Sequence, residues 1–173
     1  GRVEFALNGG RINTDFIDNS AGVDCSDHEV NIKILLDRLV AAGELDREAR
    51  NALLAEMTDD VSELTLDDNR DQNIVLGVAR AHAAPMANVH ARLVTELEGR
   101  HQLERDLDVL PSAAKFAELE AAGEGLSSPE LATLLAHTKL DLTTQVLASD
   151  LPDTPAFAGR LPEYFPAAVR DRF

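Results

Sequence analysis

From Ser26 to the carboxyl end, apolar residues recur every three or four positions, in runs bounded by prolines and glycines. That period constrains the fold more than any other feature, because it gathers the apolar side chains of each run on one helical face that must be covered. Val30, Ile34, Leu35 and Leu39 share such a face, and Gly43 is a plausible C-terminal stop. "LDREARNALLAEM" reads as a second helix capped by Asp46, and "TDDVSEL" as a short helical turn. Residues 66–82 carry Ile74, Val75, Val78 and Ala79 at helical spacing, and Pro85 interrupts the pattern. "MANVHARLVTELEGR" resumes it, with Val89, Leu93 and Leu97 as its buried stripe. Leu103 to Leu110 is a charged connector closed by Pro111, and a further helix runs through Ala122. The clearest helix start is "GEGLSSPELATLL". Ser127 or Ser128 caps it, Pro129 lies in the first turn, and Glu130 completes a capping box with Ser127. The stripe Leu131, Leu134, Leu135, Thr138 and Leu142 reads as core, and the proline-rich tail ends in a short helix.

Before Ser26 the period is two. In "RVEFAL", Val3, Phe5 and Leu7 alternate with polar or small neighbours, "NGG" signals a turn, and "RINTDFI" can return as a second strand. A lone hairpin is barely stable in water, so these strands require a sheet from elsewhere or lie as an extended arm. The expected fold is mainly α, a multi-helix bundle with a short N-terminal β-like arm. Composition agrees: nearly half of the 173 residues are apolar, aromatics are few and Trp is absent, so the core is built from Leu, Val and Ala.

The formal charge of −15 repels phosphates, which argues against nucleic acid and anionic membranes as partners and favours solubility. A single cysteine, Cys25, cannot form an internal disulfide. With no signal peptide or long apolar run in view, the expected location is cytoplasmic. A first residue other than Met, followed at once by strand-like sequence, suggests a piece of something longer.

One stretch stands apart: "DFIDNSAGVDCSDHE", residues 15 to 29. Ser26 precedes Glu29 by three residues where apolar periodicity begins, the spacing of a capping box. A loop with Ala21 and Gly22 leading into a helix start is also a place where a carboxylate or phosphate can bind. Cys25 and His28 lack the closely spaced ligand pairs of metal sites, so a solvated helix start is the better reading. "DDNRD" imitates a calcium loop, but Gln72 and Val78 stand where Gly and Glu belong. His82 and His90, eight residues apart, read as ordinary core or surface histidines.

"TDFIDNSAGVDCSDHEVNIKILL" resembles glutamate dehydrogenases. The segment after the coenzyme domain of the hexameric enzymes reads like P-D-x-x-x-N-A-G-G-V-x-x-S-x-x-E, and Asp15, Asn19, Gly22, Val23, Ser26 and Glu29 fall on it without a gap. "GGRINTDFIDNSAGVDCSDHEVNIKI", "LSSPELATLLAHTKLDLTTQVLASDL" and "YFP" resemble more specifically the large bacterial NAD-specific enzymes. The resemblance implies oxidative deamination of L-glutamate to 2-oxoglutarate and ammonia with NAD as cofactor. It places Asn19 near the nicotinamide, and Val23 and Ser26 around the side-chain carboxylate of glutamate. Ala21 in place of a Gly and the acidic "DCSDHE" depart from the hexameric pattern.

Other parts of such an enzyme are missing from the sequence. "ALNGG" lacks the spacing of a dinucleotide-binding turn, and no Lys precedes Lys33. No catalytic residue is assigned. Residues 1–25 read as the trailing edge of the dinucleotide-binding domain and residues 26–173 as a helical C-terminal domain, inactive alone. The remainder of the same polypeptide is the implied partner, in a homo-oligomer when full length. The competing reading is a non-catalytic helical assembly or regulatory module in which "NSAGV" is only a capping turn.

Overall fold

A computed structural model describes residues 1–173, Ser20 without its side chain. Among the described residues ten α-helices follow one another: α1 (Arg2–Leu7), α2 (Asp15–Asp18), α3 (Ser20–Ala42), α4 (Arg47–Glu56), α5 (Thr58–Ala81), α6 (Ala87–Gly99), α7 (Ala113–Ala122), α8 (Ser128–Leu147), α9 (Arg160–Tyr164) and α10 (Ala167–Arg170). Two 3-10 turns, Leu151–Asp153 and Pro155–Phe157, lie between α8 and α9. Among the described residues there is no strand, and no helix is long and apolar enough to cross a membrane.

The β-like arm is therefore corrected to helix. Without a partner strand, a hairpin of "RVEFAL" would leave a row of backbone groups unpaired, whereas a helix satisfies them within the segment. Phe5 N–H reaches Gly1 O at 2.9 Å, and the turn residues "NGG" end α1 instead of joining strands. Gly9 takes φ +87°, and Gly10 sits where any Cβ would strike the Phe5 ring. Arg2 then ties α1 to the next segment through Asp15 at 2.6 Å.

The chain forms two compact units. The first, residues 1–18 and 72–149, has a core built on Ile17, Leu76, Val94, Leu97, Phe116 and Leu131. Its best-defined helix start is that of α8. The Glu130 carboxylate accepts from the Ser127 N–H at 2.7 Å and from its hydroxyl at 2.6 Å, as the capping-box spacing predicts. Ser112 caps α7 through the Lys115 N–H, and Pro85 falls in the break between α5 and α6. In α6 Leu97 is buried as expected, but Val94 and His90 take the inner positions while Val89 faces out.

The second unit, residues 19–71 and 150–173, packs Ile32 and Leu36 of α3 against Leu53, Met57 and Val169. Gly43 ends α3 in the left-handed region at φ +77°, and Asp46 caps α4 by accepting from the Ala49 N–H at 2.7 Å. Two expectations are revised here. Val30 and Ile34 are more than half exposed, because the line Ile32–Leu36 points inward in their place. "TDDVSEL" is no short turn but the first part of α5, a helix of 24 residues.

Candidate functional site

The stretch that stood apart in the sequence builds the amino end of α3. The helix begins directly after Asn19, seven residues earlier than a cap at Ser26 requires. The Ser26–Glu29 capping box is thus not formed. Ser26 lies in the second turn, its hydroxyl donating to the Gly22 carbonyl at 3.1 Å, and Glu29 pairs with Lys33 one turn on. Once Ile32 and Leu36 are held by the core, each residue added toward Asn19 gains a backbone bond, and the helix extends without a side-chain cap.

That early start sets the geometry of the site. Asn19, Val23 and Ser26 stand at i, i+4 and i+7 along one helical line, and all three are exposed. Val23 is 69% exposed, an apolar side chain open to solvent beside two polar ones. Asn19 makes no side-chain capping bond, so its amide is not committed to the helix. The first N–H groups of α3 have no acceptor within the helix and carry the positive end of its dipole. Chemically, this line offers an anion an amide and, once turned from the Gly22 carbonyl, a hydroxyl, with an apolar contact between them.

A second cluster, unmarked by any sequence spacing, lies on another side of α3. The Tyr164 hydroxyl donates to Asp27 Oδ2 at 2.6 Å and accepts from Asn31 Nδ2 at 3.1 Å. Its ring stacks on buried His28 at 4.6 Å between centroids, and Phe165 meets it edge-on at 5.3 Å. His28 Nε2 lies 3.6 Å from Asp68 of α5. Burial, then the bond to the Asp27 carboxylate, pushes the Tyr164 phenol up to about 12. The cluster fastens the end of the chain to α3. Cys25, three residues from His28, instead lines a cavity of about 510 Å³ with Ile32, Met57 and Val61.

Two family models match this chain. "Bacterial NAD-glutamate dehydrogenase, catalytic domain" covers residues 1–79, and "Glutamate dehydrogenase, C-terminal" covers residues 123–173. Both models describe glutamate dehydrogenases, the first of them the bacterial NAD type. It is 57% identical over 173 residues to the NAD-specific glutamate dehydrogenase of Mycobacterium tuberculosis and 46% identical over 172 residues to that of Pseudomonas aeruginosa. The enzyme of the same name from Halomonas elongata is 43% identical over 173 residues. Each alignment takes in 99–100% of this chain but 11% of the relative, so the chain spans about a ninth of the length of these glutamate dehydrogenases. The catalytic-domain match takes in the whole of α3, and with it Asn19, Val23 and Ser26.

Proposed function

We infer that this chain is part of an NAD-dependent glutamate dehydrogenase, in which it contributes one wall of the substrate and nicotinamide pocket together with a helical domain. The observation that carries the reading is the exposed line Asn19–Val23–Ser26 at the start of α3, within the segment matched to the family's catalytic domain. Asn19 faces the nicotinamide of NAD. Val23 packs against the methylenes of glutamate, and Ser26 turns its hydroxyl from the Gly22 carbonyl to donate to the side-chain carboxylate. Residues 1–25 belong to the trailing edge of the dinucleotide-binding domain and residues 26–173 to a helical C-terminal domain, with α3 continuous from one to the other. The substrate pair is L-glutamate and 2-oxoglutarate, the active form a cytoplasmic homo-oligomer of the longer polypeptide. The 173-residue chain alone turns over no glutamate, since its sequence holds no Gly-rich phosphate turn and no Lys before Lys33.

The test is Ser26→Ala in the full-length enzyme. A hydrogen bond to a charged partner is worth about 1.5–3 kcal/mol, so kcat/KM for glutamate should fall roughly tenfold to a hundredfold while the KM for NAD holds. Because Ser26 caps nothing and Ala is the better helix former, the variant should melt no earlier than the parent. Unchanged glutamate kinetics refute the substrate role.

A further inference from the structure

Within the second unit, α3, the end of α4 and the first half of α5 enclose the cavity of about 510 Å³, within the roughly 300–1,000 Å³ of occupied ligand sites. Its floor is apolar: Ile32 and Met57 are buried, Leu54 and Val61 half-buried. At its mouth Leu66 is 47% exposed, an apolar side chain without cover. The margin has the opposite character. Glu29 lines the α3 side in an ion pair with Lys33, so the net negative charge of the margin comes from α5. On α5, exposed Asp59 and Glu63 share the helical line of Ser62 and Leu66 with no base among them, while Asp67 beyond them is paired with Arg70 and Asp68 lies by His28. An apolar floor inside an acidic rim selects its occupant by charge.

We propose that this cavity is a docking groove for a basic amphipathic helix of a partner protein. The rim repels an acidic partner, and repels a second copy of this chain, whose formal charge is −15. An uncharged apolar molecule gains nothing from it. A segment with Lys or Arg on both flanks gains attraction there and buries its apolar side chains on Ile32, Met57 and Val61. The mode of docking follows from the surroundings: with no strand among the described residues there is no sheet edge to extend, and a groove between helices takes a third helix through anchors at i, i+3/i+4 and i+7. Nothing in the proposal depends on the glutamate pocket, since Asn19, Val23 and Ser26 do not line the groove.

Cys25 lines the groove and serves as its reporter. In the full-length protein, alkylation of Cys25 by iodoacetamide is followed by peptide-resolved mass spectrometry with and without a short helical peptide of Leu anchors and Lys flanks. The expected result is alkylation at least fivefold slower with the Lys peptide, less so in high salt, and unchanged with a twin in which Glu replaces Lys. Ser62→Arg, an exposed change that puts a cation in the mouth, abolishes the protection; Leu66→Ser, which adds no charge, weakens it severalfold. The proposal is overturned if the Glu twin or an uncharged apolar compound protects equally, or if Ser62→Arg and Leu66→Ser leave protection intact. It also fails if Cys25 is shielded without peptide, showing the groove filled by the protein itself, or if shielding grows with protein concentration, showing a second copy there.

Discussion

Replacing Tyr164 by Phe removes one oxygen and leaves the ring stacked on His28, which isolates the worth of the phenol. The oxygen makes two bonds, donating to the Asp27 carboxylate at 2.6 Å and accepting from Asn31 at 3.1 Å. A bond to a charged group contributes about 1.5–3 kcal/mol, but Asp27 is exposed and water replaces the lost donor, so about 1 kcal/mol survives. The raised titration is a separate effect: its first cause is burial, which penalises the phenolate, and only part of the rise from 10 to about 12 comes from the bond to Asp27. From the hydrogen bonds alone, Tyr164→Phe should lower the melting temperature of its unit by about 4–8 °C.

The sign of the pH dependence is fixed by the same number. A phenol bound more tightly to its proton in the folded chain contributes fully below about pH 10, and the contribution is lost as pH rises toward about 12. The stability gap between parent and variant should hold constant to about pH 10 and then close. Tyr164 is the single tyrosine of the 173-residue chain, so phenolate absorbance reports it alone. After a rapid pH jump, read before unfolding, the folded chain should titrate near 12, and in denaturant near 10. A folded midpoint near 10, or a variant that melts like the parent, would refute the reasoning.

Three further outcomes follow from named groups. Burial holds the His90 imidazole below its usual value, so unfolding takes up a proton and stability is lost as pH falls from about 6.5 through the folded value. His90→Leu should flatten urea-measured stability between pH 7 and 5, by up to about 1.4 kcal/mol per pH unit. Glu130→Ala removes the acceptor of both Ser127 bonds and should cost about 1 kcal/mol, seen as faster hydrogen exchange in the first turn of α8. Ser26→Ala should separate the two properties tested on one variant: slower use of glutamate in the full-length enzyme, and a melting temperature equal or slightly higher.

Local chemistry was readable. Asp46, Gly43, Pro85 and the Ser127–Glu130 pair mark their helix ends in sequence and do so in the structure, because each signal acts within a few residues. Phase was not. α3 carries two apolar lines, Val23–Val30–Ile34 and Ile32–Leu36–Leu39, and period alone does not say which turns inward; contacts with Leu53 and Val169 decide it. The strand-like alternation of Val3, Phe5 and Leu7 is genuine, but with no neighbouring strand the backbone closes on itself as α1. Tyr164 stands 137 residues from Asp27, so no spacing rule joins them. The site residues were legible only through family resemblance, since Asn, Val and Ser at these intervals are common on any helix.

Where α3 starts decides what it can do. Had the helix begun at Ser26, Asn19 and Val23 would belong to a loop, with no fixed angle between them and the serine. Starting at Ser20 converts the same residues into one line, and 3.6 residues per turn distributes the remaining duties around the axis. Ala21, Cys25 and Glu29 line the cavity; Asp27, His28 and Asn31 hold Tyr164; Ile32 and Leu36 enter the core. Each set fixes the rotation of the helix for the others. The core residues lie six or more positions beyond Ser26, yet they set the direction in which Asn19, Val23 and Ser26 point. Tyr164, from the other end of the chain, resists rotation on a third side. The helix is therefore a rigid mount for its amino end, which is the support a pocket wall requires.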